Sequence, residues 1–168
     1  HAARKGTLDS IELADGIADA IEELRLMIDS LDGAGANLSN ALASFRSRIE
    51  PRLSAIGIQM TWRNELPLDA AACEPETVLQ VLRILQEAVT NAIKHAKTAR
   101  LEIACWPSGE QGPKINLSVR DYGTGIRPQS RHGRGLANMR ERASAIGAQL
   151  SIAVDEPGTA LLLELPRG

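Results

Sequence analysis

Aromatic side chains are nearly missing from this chain. Phenylalanine, tryptophan and tyrosine supply only Phe45, Trp62, Trp106 and Tyr122, 2% of the 168 residues. The hydrophobic fraction is nonetheless 43%, so the core must be aliphatic and the composition is not that of a disordered segment. Nucleic-acid binding needs stacking rings or a basic excess. The formal net charge is −2, so no nucleic-acid partner is expected, and nothing pulls the chain toward anionic membranes. Two cysteines, Cys73 and Cys105, cannot frame a disulfide-stapled fold. Both lie in apolar contexts and read as buried free thiols, which fits a reducing cytosol. No apolar run is long enough to cross a bilayer and no secretory leader is visible, so a cytoplasmic location is expected. The chain starts abruptly at His1, as a fragment would, and membrane contact would require a segment upstream.

What is present divides into two parts. Residues 8–31 read as a helix in which Ile17, Ile21, Leu24, Ile28 and Leu31 form a narrow heptad seam. Asp32-Gly33-Ala34-Gly35 stops it. A second helix carries Leu38, Leu42, Phe45, Ile49 and Leu53 on one side, with Pro51 kinking it or marking its last turns. Two packings fit: a helical hairpin that dimerises, which the narrow seam favours, or two helices packed on their own domain. From residue 57 the pattern changes. Ile58, Met60 and Trp62 alternate with polar residues; a helix beginning at Glu74-Pro75-Glu76 runs to about Ala96. Alternation around Leu101, Ile103 and Cys105 and around Ile115, Leu117 and Val119 predicts two strands joined as a hairpin through 107–113. A helix from about Leu136 to Ile146 ends at Gly147, and strands 149–154 and 159–165 close the chain. The order β-α-β-β-loop-α-β-β predicts an α+β fold: one mixed, mostly antiparallel sheet with helices on one face, a two-layer sandwich.

Three segments carry chemistry. Within the helix 75–96, Glu87 and Asn91 lie one turn apart on one face. A carboxylate beside a carboxamide offers oxygen ligands to a hard cation such as Mg²⁺. Gln80, Arg83 and Lys94 extend this polar strip. Asp121-Tyr122-Gly123-Thr124-Gly125 follows an apolar strand, where a carboxylate can accept a hydrogen bond from the exocyclic amine of adenine and the glycines allow close ligand approach. Gly133-Arg134-Gly135-Leu136 opens a helix, whose free N–H groups suit phosphate oxygens. The connector 126–132 holds Arg127, Arg131 and His132, a basic loop able to close over phosphates. No Gly-Lys-Ser/Thr phosphate loop and no dinucleotide fingerprint appears.

Taken in order, these residues resemble the ATP-binding domain of histidine kinases, in the superfamily shared with gyrase, Hsp90 and the mismatch-repair ATPases. Glu87 to Ala96 is similar to that family's N box, Asp121 to Gly125 to its G1 box, Gly133 to Leu136 to its G2 box, and Gly158-Thr159 to its closing Gly-Thr. The short connector and the run Gly135 to Ala143 resemble the nitrate-sensor-like subfamily of sensor kinases. The resemblance implies a Bergerat-type ATP-binding fold over residues 57–168, preceded at 1–56 by part of a dimerisation and phosphotransfer hairpin. It implies ATP and Mg²⁺ as cofactors, a homodimer through the helical region, and a response regulator as phosphoryl acceptor. It further implies that Asn91 ligates Mg²⁺ and that Glu87 orients a metal-bound water or assists the acceptor. Lys94 and His95 would lie toward phosphate and Asp121 would read the adenine amine. Gly123, Gly125, Ile126, Gly133, Arg134, Gly135 and Leu136 would shape the pocket and its lid, and Thr159 would sit near the base.

One departure bears on activity. A histidine kinase needs an acceptor histidine followed by an acidic residue on a helix, and His1, His95 and His132 all lack that setting. The acceptor is expected upstream, and the fragment is expected to bind ATP without phosphorylating itself efficiently. Alternatives are a related ATPase or an anti-sigma-type serine kinase, which would not be expected to carry a heptad hairpin, or a non-catalytic module in which nucleotide occupancy sets helix packing.

Overall fold

The computed structural model describes residues 20–21, 24–28, 37–67, 72–108, 114–124, 134–155 and 157–166. Residues 24–28 are helical, within the expected first helix; Ile17 and Leu31 of its seam lie outside the described residues. Helix α1, Leu38–Ala55, begins at Asn37, whose side chain accepts from the Asn40 N–H at 3.1 Å, a local satisfaction of a free helix-start donor. It contains Pro51 near its end and stops before Gly57, at φ +78°. Strand β1 is Gln59–Asn64 and helix α2 is Pro75–Asn91. A π-helical turn, Ala92–Ala96, continues α2. Strands β2, Arg100–Ser108, and β3, Lys114–Asp121, precede helix α3, Arg134–Ala145. Strands β4, Gln149–Val154, and β5, Thr159–Pro166, complete the described fold.

The sheet order is β1-β2-β3-β5-β4, parallel only between β1 and β2 and antiparallel elsewhere. Alternation decides which face is buried. Leu101, Ile103 and Cys105 on β2, Ile115, Leu117 and Val119 on β3, and Leu161, Leu163 and Leu165 on β5 are all in the core. Glu102, Arg120 and Glu164 fall on the other face. This is the expected mixed sheet, covered on its apolar face by the helices.

The apolar stripe of α1 has one destination. Leu38, Leu42, Phe45, Ile49 and Leu53 are buried in the same cluster as Val78, Leu82 and Leu85 of α2 and the sheet leucines. Phe45 stacks at 6.5 Å on Trp62 of β1. Of the two packings open to the sequence, α1 therefore takes the second: its stripe lies against its own sheet. α1 precedes residue 57, and its stripe shares one core cluster with the elements that follow. Phe45→Ala is expected to destabilise the fold by about 3–4 kcal/mol, since a fully buried ring is replaced by a cavity. The midpoint of urea unfolding measures this, and an unchanged midpoint would show that α1 is dispensable to the core.

Candidate active site

The polar strip of α2 faces α3. Arg142 donates to Gln80 Oε1 at 3.1 Å, and Gln80 in turn donates to Glu76. Two turns further on, Asn91 Nδ2 donates to Glu87 Oε1 at 3.2 Å. That bond engages the amide nitrogen of Asn91 and not its carbonyl oxygen, the atom a hard cation takes. Gly135, in the first turn of α3, lies directly against this pair. A Cβ placed there would overlap Glu87 Oε1 and come within 3.6 Å of Asn91 Nδ2. Glu87, Asn91 and Gly135 thus meet although 44 residues separate the last two in sequence.

The obstacle to a Cβ at 135 is the tip of a flexible side chain, which can swing aside. Gly135→Ala should therefore leave stability unchanged, or raise it by about 0.5–1 kcal/mol through better helix propensity. It should also turn the Glu87 carboxylate away and weaken nucleotide binding about tenfold. Calorimetric titration beside urea unfolding separates the two effects, and equal binding by both proteins would sink the assignment.

The second cluster forms at the end of β3. Asp121 is buried, and Oδ1 accepts the N–H of Gly123 at 2.9 Å. Leu101 and Thr159 stand opposite it in register. Gly158, at φ +117°, presses its bare Cα against Asp121; a Cβ there would overlap the Asp121 carbonyl oxygen and lie 2.9 Å from Oδ1. Asp121, Gly158 and Thr159 are thus neighbours at the end of β3. The two clusters are tied together. Thr124 N–H donates to the Ala96 carbonyl at 2.8 Å, and a Cβ on Gly123 would overlap that same carbonyl. Only glycine fits at 123, because the obstacle is backbone.

The sequence predicts one helix to Ala96, but the last turn, Ala92–Ala96, is π-helical. Its i→i+5 bonds hold more residues per turn and rotate Lys94 and His95 off the line set by Gln80, Glu87 and Asn91. Both side chains are exposed, as is Ile93. Leu136 is buried behind Gly135. Gly125, Ile126 and Gly133, the side chain of Arg134, and Arg127, Arg131 and His132 lie outside the described residues. Among the described residues no three His, Cys, Asp or Glu side chains gather to hold a metal. A cation beside Asn91 would thus draw most of its oxygens from its ligand and water, the usual habit of Mg²⁺. Cys105 forms no disulfide and is buried; desolvation, with Cys73 a second cause, pushes its thiol up to about 12, which makes it unreactive.

A network that sequence reasoning passed over surrounds Tyr122. The phenol donates to Glu102 Oε2 at 2.9 Å, and Arg63 donates to Glu102 Oε1 at 2.8 Å. The Tyr122 hydrogen bond, opposed by desolvation and assisted by Arg63 and Arg100, holds the Glu102 carboxyl below its ordinary 4.5. A depressed carboxyl contributes stability that is complete above its unfolded pKa and is lost as pH falls through the folded one. The stability gap between the natural protein and Tyr122→Phe should therefore be constant near neutrality and shrink from about pH 5 to about pH 3. Urea unfolding across that range measures it; a gap that widens on acidification would contradict the pairing.

Residues 76–168 match the family described as histidine kinase-, DNA gyrase B-, and HSP90-like ATPase. Among curated proteins, the chain is 31% identical over 159 residues to the signal transduction histidine-protein kinase/phosphatase UhpB of Salmonella typhimurium, covering 93% of this chain and 30% of that protein. It is 29% identical over 157 residues to the nitrate/nitrite sensor protein NarQ of Escherichia coli, covering 90% of this chain and 26% of that protein. The chain therefore spans less than a third of either relative. Among solved structures, the histidine kinase domain of the Erythrobacter litoralis blue-light activated histidine kinase superposes with a TM-score of 0.69 at 21% identity, covering 88% of this chain and 72% of that one. The Acinetobacter baumannii histidine kinase AdeS gives 0.65 at 14% identity, covering 94% and 82%. These likenesses establish the fold.

Proposed function

Since the chain belongs to the histidine kinase-, DNA gyrase B-, and HSP90-like ATPase family, we propose that it is the ATP-binding catalytic part of a sensor histidine kinase. In this reading the γ-phosphoryl group of Mg-ATP passes to a histidine on a helix outside this sequence and then to a response regulator. The observation that carries it is the meeting of Glu87, Asn91 and Gly135, tied through Ala96 and Thr124 to a buried Asp121.

The residues fit the nucleotide. Asn91 and Glu87 supply hard oxygen donors, Gly123 and Gly135 leave space where a Cβ would intrude, and Asp121 is a buried acceptor suited to an exocyclic amine. Asn91 would hold Mg²⁺ and Glu87 would act through a bound water. Lys94 and His95, with Arg134, would lie toward phosphate, and Thr159 beside the base. Gly125, Ile126, Gly133 and Leu136 would complete the pocket wall. The bound metal supplies charge neutralisation of the phosphoryl oxygens. An imidazole nitrogen is already nucleophilic, so the protein needs only to aim it and hold the opposite ring N–H. A strong base at Glu87 is unnecessary.

Residues 37–168 form the nucleotide-binding unit in this reading, because α1 completes its core. The helix before it supplies the dimer contact. Ile21, Leu24 and Ile28 of the seam are 43%, 59% and 57% exposed, whereas Leu26 is 2% exposed and belongs to the core. A cytoplasmic position follows from the nucleotide requirement. Labelled ATP given to this fragment should produce no phosphohistidine, while the protein extended upstream through an acceptor helix should become labelled and pass the label to an aspartate of a response regulator. Strong labelling of the fragment alone, or none of the extended protein, would overturn the reading.

A further inference from the structure

Tyr122 lies between Asp121 and Gly123, and its side chain is held more tightly than any ordinary turn residue needs. The Arg100 guanidinium lies 4.5 Å from the ring centroid and that of Arg120 lies 4.8 Å away, within the range of cation–π attraction. The hydroxyl donates to Glu102. Each of these groups is itself restrained or set in register: Glu102 by Arg63 of β1, Arg120 by Asp155 at 3.0 Å, and Glu102 and Arg120 stand opposite each other across β2 and β3. The Tyr122 N–H donates to Thr98 Oγ1 at 3.3 Å, and Thr98 also accepts from Arg100 N–H at 3.0 Å.

These contacts place the ring over the polar face of the sheet, while Asp121 is buried on the other. Asp155 begins the turn between β4 and β5, its N–H bonded to the Gly158 carbonyl at 3.2 Å, and Gly158 is the residue pressed on Asp121. One ring therefore joins both backbone segments that confine the Asp121 carboxylate: its own turn, through Gly123, and the β4–β5 turn, through Arg120 and Asp155. Any rotation at Tyr122 moves the Gly123 donor relative to Asp121 Oδ1, because the two are bonded neighbours.

We propose that Tyr122 is a positioning residue for base recognition, holding from the far face of the sheet the carboxylate that distinguishes purines. This rests on the reading of Asp121 as the acceptor for the adenine amine. A general stabilising role would lower unfolding midpoints and weaken every nucleotide alike. A positioning role alters discrimination between bases, so the test compares ATP with inosine triphosphate, whose 6-oxo group offers no donor to Asp121.

In calorimetric titrations with magnesium, Tyr122→Ala should weaken ATP at least tenfold and leave inosine triphosphate within about threefold, so that the ratio of the two narrows. Tyr122→Phe keeps the ring between both guanidiniums and loses only the hydroxyl bond, and should recover most of the ratio. Tyr122→Leu serves where the alanine variant fails to fold, and should narrow the ratio because it fills space but offers no ring to the two guanidiniums. A ratio unchanged in every folded variant overturns the proposal while leaving the nucleotide site intact. Failure of the natural protein to prefer ATP over inosine triphosphate overturns the role of Asp121, and this proposal with it.

Discussion

Replacing Asn91 by alanine is expected to slow phosphoryl transfer at least a thousandfold, about 4 kcal/mol of transition-state stabilisation, with little change in stability. Asn91 is half-buried at the end of α2, and its amide donates to Glu87 at 3.2 Å. Losing one such bond costs about 1 kcal/mol, and the higher helix propensity of alanine offsets a few tenths of that. In the proposed reading a bound Mg²⁺ would lose its protein oxygen, and no cluster of acidic side chains among the described residues could replace it. Transfer is measured in the protein extended through its acceptor helix, with urea unfolding as control. A variant that keeps a tenth of the natural rate would remove Asn91 from the site.

Asp121→Asn should weaken ATP about a hundredfold, close to 2.8 kcal/mol, and should improve inosine triphosphate. The side chain keeps its shape, and its remaining carbonyl oxygen can still accept the Gly123 N–H that now lies at 2.9 Å. The fold therefore survives. What changes is the second oxygen, replaced by an amide that donates. Two donors then face each other when adenine is bound, and in a buried site the unmade bond costs its full desolvation. With a 6-oxo purine the same amide finds an acceptor, so preference should invert. Equal ATP affinity in both proteins would show that the base is read elsewhere.

Much of this was legible without coordinates, for reasons that differ by element. Strand β3 alternates strictly, Ile115, Leu117 and Val119 against Asn116, Ser118 and Arg120, and a period of two leaves little freedom in which face is buried. Glu87 and Asn91 are four apart on a strongly apolar helix, so their proximity needed only helical geometry. The contact with Gly135 was suggested by glycine type and order, not by distance. The destination of α1 was not legible: a stripe of Leu38, Leu42, Phe45, Ile49 and Leu53 states that one side is covered, but a partner helix and a sheet cover it equally well. Nor was the π-helical turn, since Ala92–Ala96 contains nothing that separates five-residue from four-residue bonding. The Tyr122 network depends on register. Glu102 and Arg120 face each other only because Leu101 pairs with Asp121, and no local pattern specifies that pairing.

The scarcity of rings has a spectroscopic consequence. Trp62 sits where α1 meets β1, 6.5 Å from Phe45, and Trp106 lies on β2 opposite Asn116, five positions along the strand from the residue beside Asp121. Neither indole belongs to the nucleotide cluster. Intrinsic emission from this chain therefore reports on the seating of α1 and the integrity of the sheet, and stays nearly silent to occupancy of the pocket. A nucleotide titration therefore needs another readout, such as heat, while the same emission follows unfolding, whose midpoint bound nucleotide raises.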